Sequence, residues 1–387
     1  MKLERKPKGR LRPTLSQIKL ISIDTSVFGE LAQDYFSNND KPANNAIKFL
    51  VDNALVPFFS IHHFAEHLQC ADDSAVDKRL SLIRSLPIVA WIAGGVSGLP
   101  GSIMDLVAGE IILMLGGTTA PTEILQKSKQ DFIRYGSGEE LIEDTASVLL
   151  AIRKLGYFDI QKAKSIDSLV HVADRSILNT KLYDLRNAKK NSPAVALQTI
   201  NSLKNLFVAN LDKSGDKKIC DTRKVADWFI EKVKESSKEL LFDSDLGFYE
   251  HLLASNGLKE EDINENTTIA DLGELSTHRH QLDIISRSYA FDLDSAYRIP
   301  MMDIPSKYIT TWLEKCIRLE ARASGSNVID KYMAAFSLYV DLNIADKRIV
   351  EYISQLRRKD NPIAKEIKHV VKVPHYSKIA DTCKALL

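Results

Sequence analysis

The sequence has few cysteines, no excess of either charge and no long apolar run. Its cysteines are Cys70, Cys220, Cys316 and Cys383. They lie far apart and form no Cys-x-x-Cys pair, which argues against a zinc site and fits a reducing compartment. Lys plus Arg number 52 against 51 Asp plus Glu, so only local charge can indicate an anionic partner. The most apolar stretch, 103–115, is too short to span a bilayer and contains Asp105 and Glu110. We therefore expect a cytoplasmic protein with no membrane partner.

The overall composition is that of a soluble globular protein. Of the 387 residues, 44% are hydrophobic and 27% are charged, close to the averages for folded domains. A chain of this length can bury roughly three quarters of the surface that its unfolded form exposes. It therefore needs neither disulfides nor a structural metal to fold. The basic segment 1–13 is followed by no apolar run, so we interpret it as a basic N-terminal arm and not as a secretory signal.

Strand-like and helix-like patterns alternate at both ends of the chain. The predicted elements are strands 18–23, 55–59, 86–92 and 342–345 and helices 43–53, 61–70, 77–85, 305–323 and 328–339. Between 118 and 290, apolar residues recur at helical intervals and strand-like runs nearly vanish. The early segments are thus predicted to form β and α elements in turn, and the late segments resume that pattern.

The two alternating regions can complete one sheet, because parallel strands are joined by crossover helices and need not be close in sequence. The sequence therefore predicts an α/β domain in two pieces, 14–117 and 301–360. A mostly α-helical insertion occupies 118–300 between them. Residues 361–387 are predicted to form a C-terminal extension.

Four carboxylates are predicted to lie near one edge of this sheet. Asp24 and Asp346 each close a predicted strand, and Glu66 and Asp330 lie near the beginnings of predicted helices. The carboxyl ends of parallel strands share one edge, which is where α/β proteins bind ligands. Carboxylates gathered there would raise one another's pKa unless a cation joined them. Mg²⁺ and Mn²⁺ take such oxygen ligands, so the four acids are predicted to be catalytic residues that bind one of these metals.

The segments around these acids carry a resemblance to a known family. They are Ile21-Ser-Ile-Asp24-Thr-Ser, Ser60-Ile-His-His-Phe-Ala-Glu66, Ser324-Gly-Ser-Asn-Val-Ile-Asp330 and Tyr339-Val-Asp-Leu-Asn-Ile-Ala-Asp346-Lys-Arg. Their order and context resemble the PIN-domain nucleases: an opening strand with its acid, a Ser-containing turn with a helical Glu, and two late acids. The resemblance implies a three-layer α/β/α sandwich with a central parallel sheet. It also implies metal-dependent hydrolysis of phosphodiester bonds, most often in RNA.

In such a site, Mg²⁺ or Mn²⁺ held by the four acids would lower the pKa of a bound water that attacks phosphorus. Polar residues in the same segments are candidates for binding the substrate: Ser26, Ser60, Ser326, Asn327, Lys347 and Arg348. The expected protein is an endoribonuclease whose partner is nucleic acid, RNA rather than DNA. The sequence also leaves open whether the protein has a regulatory protein partner and whether it forms a homo-oligomer.

Each acid also has a simpler interpretation. Asp24 could cap the helix that follows it, and Glu66 and Asp330 could be exposed helix acids. Asp341 competes with Asp346 for the last position. We prefer Asp346 because it closes the strand-like run, whereas Asp341 resembles a turn between helix and strand.

A second hypothesis comes from the position two residues before the last acid, where the family usually has Thr or Ser and this chain has Ile344. It is a PIN-like fold that no longer cuts and instead binds nucleic acid or a protein. A third is a helical scaffold unrelated to nucleases. Glu110 could be an auxiliary acid, but we expect it on a helix surface. The order of the histidines near Glu66 is not His-Glu-x-x-His, which argues against a zinc-protease site. One of these histidines could touch a scissile phosphate, but we expect them on the helix surface. These histidines are His62, His63 and His67.

Overall fold

The structure is a computed structural model. It describes residues 18–37, 41–70, 72–94, 100–143, 145, 148–149, 151, 153–154, 179–185, 205, 208–209, 212, 221–236, 250, 253–254, 257–318 and 327–386. The strands are β1 (Lys19–Ile23), β2 (Leu55–Phe59), β3 (Val89–Ile92), β4 (Ile133–Gly136), β5 (Leu342–Ile344) and β6 (His369–Val371). The early helices are α1 (Thr25–Tyr35), α2 (Lys41–Asp52), α3 (Ile61–Leu68), α4 (Asp73–Ser85), α5 (Ile103–Leu115) and α6 (Pro121–Phe132). The later helices are α7 (Leu182–Leu185), α8 (Thr222–Ser236), α9 (Ile269–Tyr289), α10 (Leu293–Tyr297), α11 (Pro305–Arg318), α12 (Asn327–Ala335), α13 (Lys347–Arg357), α14 (Pro362–Glu366) and α15 (Ile379–Leu386).

These strands form one mixed, mostly parallel sheet in the order β4-β3-β2-β1-β5-β6. Only β4 runs antiparallel to its neighbour among them. The first strand, β1, lies between β2 and β5, with Ile23 opposite Ile344. Strands from opposite ends of the chain are therefore direct neighbours, and the prediction that the late elements complete the sheet begun near Ile18 is confirmed.

Helices cover both faces of the sheet because successive side chains of a strand point to opposite sides. Ile21 and Phe59 pack in one core cluster with α1, α2, α3, α4 and α15. Leu20 and Phe58 pack in a second cluster with α5, α11, α12 and α13. The fold is thus mainly helical and of the α/β class. Within the described parts of the chain, no helix combines the length and the apolar character needed to cross a membrane.

The sheet extends into segments where the sequence patterns showed no strand. β4 lies in 118–300, the segment expected to be a mostly helical insertion, and β6 lies in 361–387, the expected C-terminal extension. Only Ile133 of β4 is buried, and all three residues of β6 are half-buried. Short edge strands of this kind lack the apolar alternation by which a strand is recognised in sequence. The segment 118–300 also contributes α9, which packs on α5.

A buried carboxylate joins the early and late parts of the chain. Glu110 of α5 is fully buried and accepts hydrogen bonds from the backbone N–H of Ser306 at 3.0 Å and from its hydroxyl at 2.6 Å. The Tyr339 hydroxyl also donates to Glu110. Burial raises the pKa of Glu110 to about 7. The expected surface position was wrong: Glu110 lies on an apolar helix whose neighbours supply the polar partners that a buried carboxyl requires.

Candidate functional site

Asp24 and Asp346 follow neighbouring strands at the same edge of the sheet. Ile23 ends β1 and is opposite Ile344, which ends β5. The backbone N–H of Asp24 donates to the carbonyl oxygen of Ile344 at 3.0 Å. Asp346 follows that residue by two positions, so both acids begin their helices from adjacent points of one sheet edge.

Both acids cap the helices that they precede. Asp24 Oδ1 accepts the backbone N–H of Ser26 at 2.9 Å and also the Ser26 hydroxyl. Asp346 Oδ1 accepts the N–H of Ile349 at 2.8 Å. The capping interpretation of Asp24 is thus confirmed. Such bonds fix the direction of a carboxylate and place its charge at the positive end of the helix dipole.

Glu66 is joined to the same edge through Thr25. The Thr25 hydroxyl donates to Glu66 Oε2 at 2.6 Å, and Thr25 is the residue that follows Asp24. Helix α3 therefore holds its carboxylate beside the start of α1. The sequence analysis did not single out Thr25, although its position directly after the first acid was the available signal.

Asp330 is linked to Asp346 through Arg348. The guanidinium Nη2 of Arg348 lies 3.0 Å from Asp330 Oδ2 and 3.7 Å from Asp346 Oδ2. All four predicted acids are therefore connected to this edge, two by strand ends and two by side-chain contacts. Arg348, predicted to bind substrate, instead contacts two of the acids in this structure.

The donor set fits a hard divalent cation in kind, since all four predicted ligands are carboxylates at one edge of the sheet. In the part of the chain that the structure describes, no three His, Cys, Asp or Glu side chains form a group that could hold a metal ion. Here Arg348 supplies the positive charge that joins Asp330 and Asp346. An ion that bound both carboxylates would have to replace this guanidinium.

The remaining substrate candidates occupy different environments. Ser26 bonds to Asp24, and Lys347 is the exposed first residue of α13. Asn327 begins α12, and Ser326 lies outside the described residues. Ser26 and Lys347 are both exposed, and of these two Lys347 is the one that carries a positive charge to offer a phosphate.

Ser60 and the histidines of α3 belong to the interior. Ser60 is fully buried and is the N-cap residue directly before α3, and its hydroxyl lies 2.8 Å from His63 Nδ1. His63 and His67 are each 1% exposed, and burial lowers the pKa of His63 to about 3. The expected surface position was wrong for His63 and His67, whereas His62 is half-buried. Their helix packs beneath Phe336, whose ring stacks on His63 with 5.7 Å between centroids.

Asp341 lies at the opposite edge of the sheet from the four acids. It precedes β5, and its Oδ2 accepts the backbone N–H of Leu20, near the start of β1, at 2.8 Å. It also lies 4.0 Å from the ammonium of Lys129. Asp341 therefore joins the amino ends of β1 and β5, whereas Asp346 follows the carboxyl end of β5.

Comparison with known proteins provides no relative on which to base an assignment. No protein-family model matches the chain, and no curated protein or solved structure matches it at a significant level. Any functional assignment therefore starts from the residues at this edge and from their placement.

Proposed function

We propose that the chain is a metal-dependent nuclease of the PIN type that hydrolyses phosphodiester bonds, in RNA in preference to DNA. The observation that supports this most is the bond from the Asp24 N–H to the carbonyl of Ile344, which joins the strand ends that carry Asp24 and Asp346. The central position of β1 and the helices on both faces of the sheet support a PIN-like α/β/α sandwich. In this proposal the enzyme works in the cytoplasm, and the insertion contributes to substrate recognition.

In the proposed reaction, Asp24, Glu66, Asp330 and Asp346 would hold Mg²⁺ or Mn²⁺, which when bound would lower the pKa of a water and offset charge on the phosphate. The rest is done by the chain. Helix caps orient Asp24 and Asp346, and the Thr25 hydroxyl orients Glu66. The Arg348 guanidinium balances the charge of two acids and can turn to a phosphate oxygen when it is released from them.

Substituting Asp24 by Asn tests the proposal, with Asp341→Asn as the matched control. Asp341 adjoins the same two strands at the opposite edge, so its loss perturbs the sheet without touching the proposed site. Wild type and Asp341→Asn are expected to cleave labelled single-stranded RNA with Mn²⁺ or Mg²⁺, and to cleave DNA of the same sequence more slowly. Asp24→Asn is expected to lose about a hundredfold or more of this activity. Undiminished cleavage by Asp24→Asn would reject the proposed site.

A second candidate function is a PIN-like module that binds nucleic acid without cutting it. The guanidinium of Arg348 between Asp330 and Asp346 favours it, because a permanent internal cation can replace a metal ion. Ile344, buried at the position of the usual hydroxyl residue, also favours it. Fluorescence anisotropy with labelled RNA distinguishes the two. Tight RNA binding by the wild type, with no cleavage in Mg²⁺ or Mn²⁺, would support the second function.

A further inference from the structure

A polar cavity of about 120 Å³ opens beside the helix that carries Asp330. It is formed by α9, α11 and α12. Its lining includes Gly273, Gln281, Lys307, Glu314, Lys331 and Tyr332. Because Lys331 and Tyr332 directly follow Asp330, the cavity and the proposed site share the beginning of α12.

The lining of the cavity includes a buried ammonium, that of Lys307. Lys307 is 8% exposed, its Nζ donates to Gln281 Oε1, and burial lowers its pKa to about 8. Nearby on α9, His278 is 6% exposed, and neither of its ring nitrogens has a hydrogen-bond partner among the described residues. Buried polar groups are rarely left in this state. The two unpaired nitrogens of His278 therefore leave unused hydrogen-bonding capacity near Lys307, although His278 does not line the cavity itself.

One wall of the cavity is an aromatic ring held in place. Tyr332 stacks on His62, with 5.1 Å between ring centroids, and the ammonium of Lys331 lies 5.4 Å from the Tyr332 centroid. Lys331 Nζ is also 2.5 Å from Glu314 Oε2. The wall is therefore fixed before any ligand arrives, and hydrogen-bonding groups surround it.

The rim of the cavity carries a glycine that packing does not require. Gly273 lies inside α9, where glycine costs about 1 kcal/mol relative to alanine. A Cβ added at Gly273 would meet no atom within 4 Å. The glycine leaves the rim open, as an entrance for a ligand requires.

The chemistry of the lining selects the kind of ligand. Lys307 and Lys331 are balanced by Glu274 and Glu314, so the cavity offers a bare phosphate no excess of positive charge. Its volume is below the roughly 300–1,000 Å³ of sites that enclose a whole small molecule. A flat, neutral group with hydrogen-bond donors and acceptors on its edge fits both the balanced charge and the small volume of the cavity.

We infer that this cavity takes one unpaired nucleobase of the strand presented to the acids. The base lies against Tyr332, and its polar edge meets Lys307 and Gln281. Proteins read single strands in this way, by aromatic contact with a splayed base and hydrogen bonds to its edge. The inference rests on the proposed function and adds a base preference to it.

Gly273→Leu tests the inference by filling the rim, and Gly273→Ala is the matched control. Both replace glycine inside a helix and add atoms in open space, so both are expected to fold. A loss of base preference that appears in Gly273→Leu but not in Gly273→Ala therefore results from filling the cavity. In a pool of single-stranded RNA with a randomised region, wild type and Gly273→Ala should favour one base at a fixed distance from the cut. Gly273→Leu should lose at least fivefold of that preference and still cut.

Binding of labelled RNA trinucleotides without added metal separates the cavity from the proposed cleavage. Wild type and Gly273→Ala should distinguish the best from the worst base by about tenfold in Kd, and Gly273→Leu should not. If this binding pattern appears without cleavage, the inference that the cavity binds a nucleobase is supported and the nuclease proposal fails. Cleavage without base preference, or a preference that Gly273→Leu retains, would overturn the inference. Binding of inorganic phosphate that Gly273→Leu abolishes, with no base selectivity, would also overturn it.

Discussion

Replacing Glu110 by Gln should remove a component of the pH dependence of stability. In the folded protein the pKa of Glu110 is raised from the ordinary 4.5 to about 7, chiefly by burial. The folded state therefore holds a proton that the unfolded state releases between these values. The contribution to stability is complete below about pH 4.5 and is lost as pH rises through 7. At about 1.4 kcal/mol per pKa unit, the loss amounts to about 3 kcal/mol.

Urea unfolding followed by tryptophan fluorescence measures this effect, since Trp312 lies in α11, the helix whose first turn contains Ser306, the hydrogen-bond partner of Glu110. The quantity of interest is the difference between wild type and Glu110→Gln. Buried histidines such as His63, with a lowered pKa, contribute pH dependence of the opposite sign, and that contribution cancels in the difference. Wild type should lose about 3 kcal/mol relative to the variant between about pH 4.5 and about pH 8.

Tyr339→Phe provides the opposite perturbation at the same group. It removes a hydrogen bond that favours the charged form of Glu110, so it should raise the pKa further and shift the stability loss to higher pH. Equal pH profiles for wild type and Glu110→Gln would refute the reasoning, because they would mean that the Glu110 carboxyl is solvated in the folded state.

Two further substitutions test the packing of the segment that follows β4 and the charge balance of the site. Gly138→Ala should destabilise the protein by about 3 kcal/mol or more in urea unfolding. Its Cβ would lie 1.7 Å from the carbonyl oxygen of Ile83, and an unchanged unfolding midpoint would contradict this packing. Arg348→Met should cost about 1 kcal/mol of stability, since its ion pairs are partly exposed. The same change should tighten Mn²⁺ binding about tenfold, because Asp330 and Asp346 lose the cation between them. Calorimetric titration measures this affinity. An unchanged affinity for Mn²⁺ would argue that the guanidinium does not compete with a metal.

Much of the sheet could be predicted because its central strands have a strong local signal. The five residues of β2 are all buried, and such apolar, β-branched or aromatic runs are typical of strands covered on both faces. β4 and β6 could not be recognised, because edge strands with one or no buried residue have no such pattern. Their place in the sheet is set by pairing with β3 and β5, which is a tertiary property.

The candidate site was predictable to the extent that strand ends define it. Asp24 and Asp346 follow from the pattern of parallel strands, since a shared edge is a consequence of topology. The contact of Arg348 with Asp330 depends on how two helices pack, and no local pattern reports it. The cavity likewise joins residues of three helices, such as Gly273, Lys307 and Tyr332, that are distant in sequence. Residues that meet through helix packing can be recognised as neighbours only from the tertiary structure.

Calorimetric titration of the wild type with Mn²⁺, compared with Asp24→Asn and Asp341→Asn, tests the central claim most directly. We expect saturable binding by the wild type and Asp341→Asn, with affinity reduced about tenfold or more in Asp24→Asn. Saturation by the wild type with equal affinity in all three proteins would place the metal elsewhere. Absence of any heat with the wild type would contradict a metal site built from the two ends of the chain.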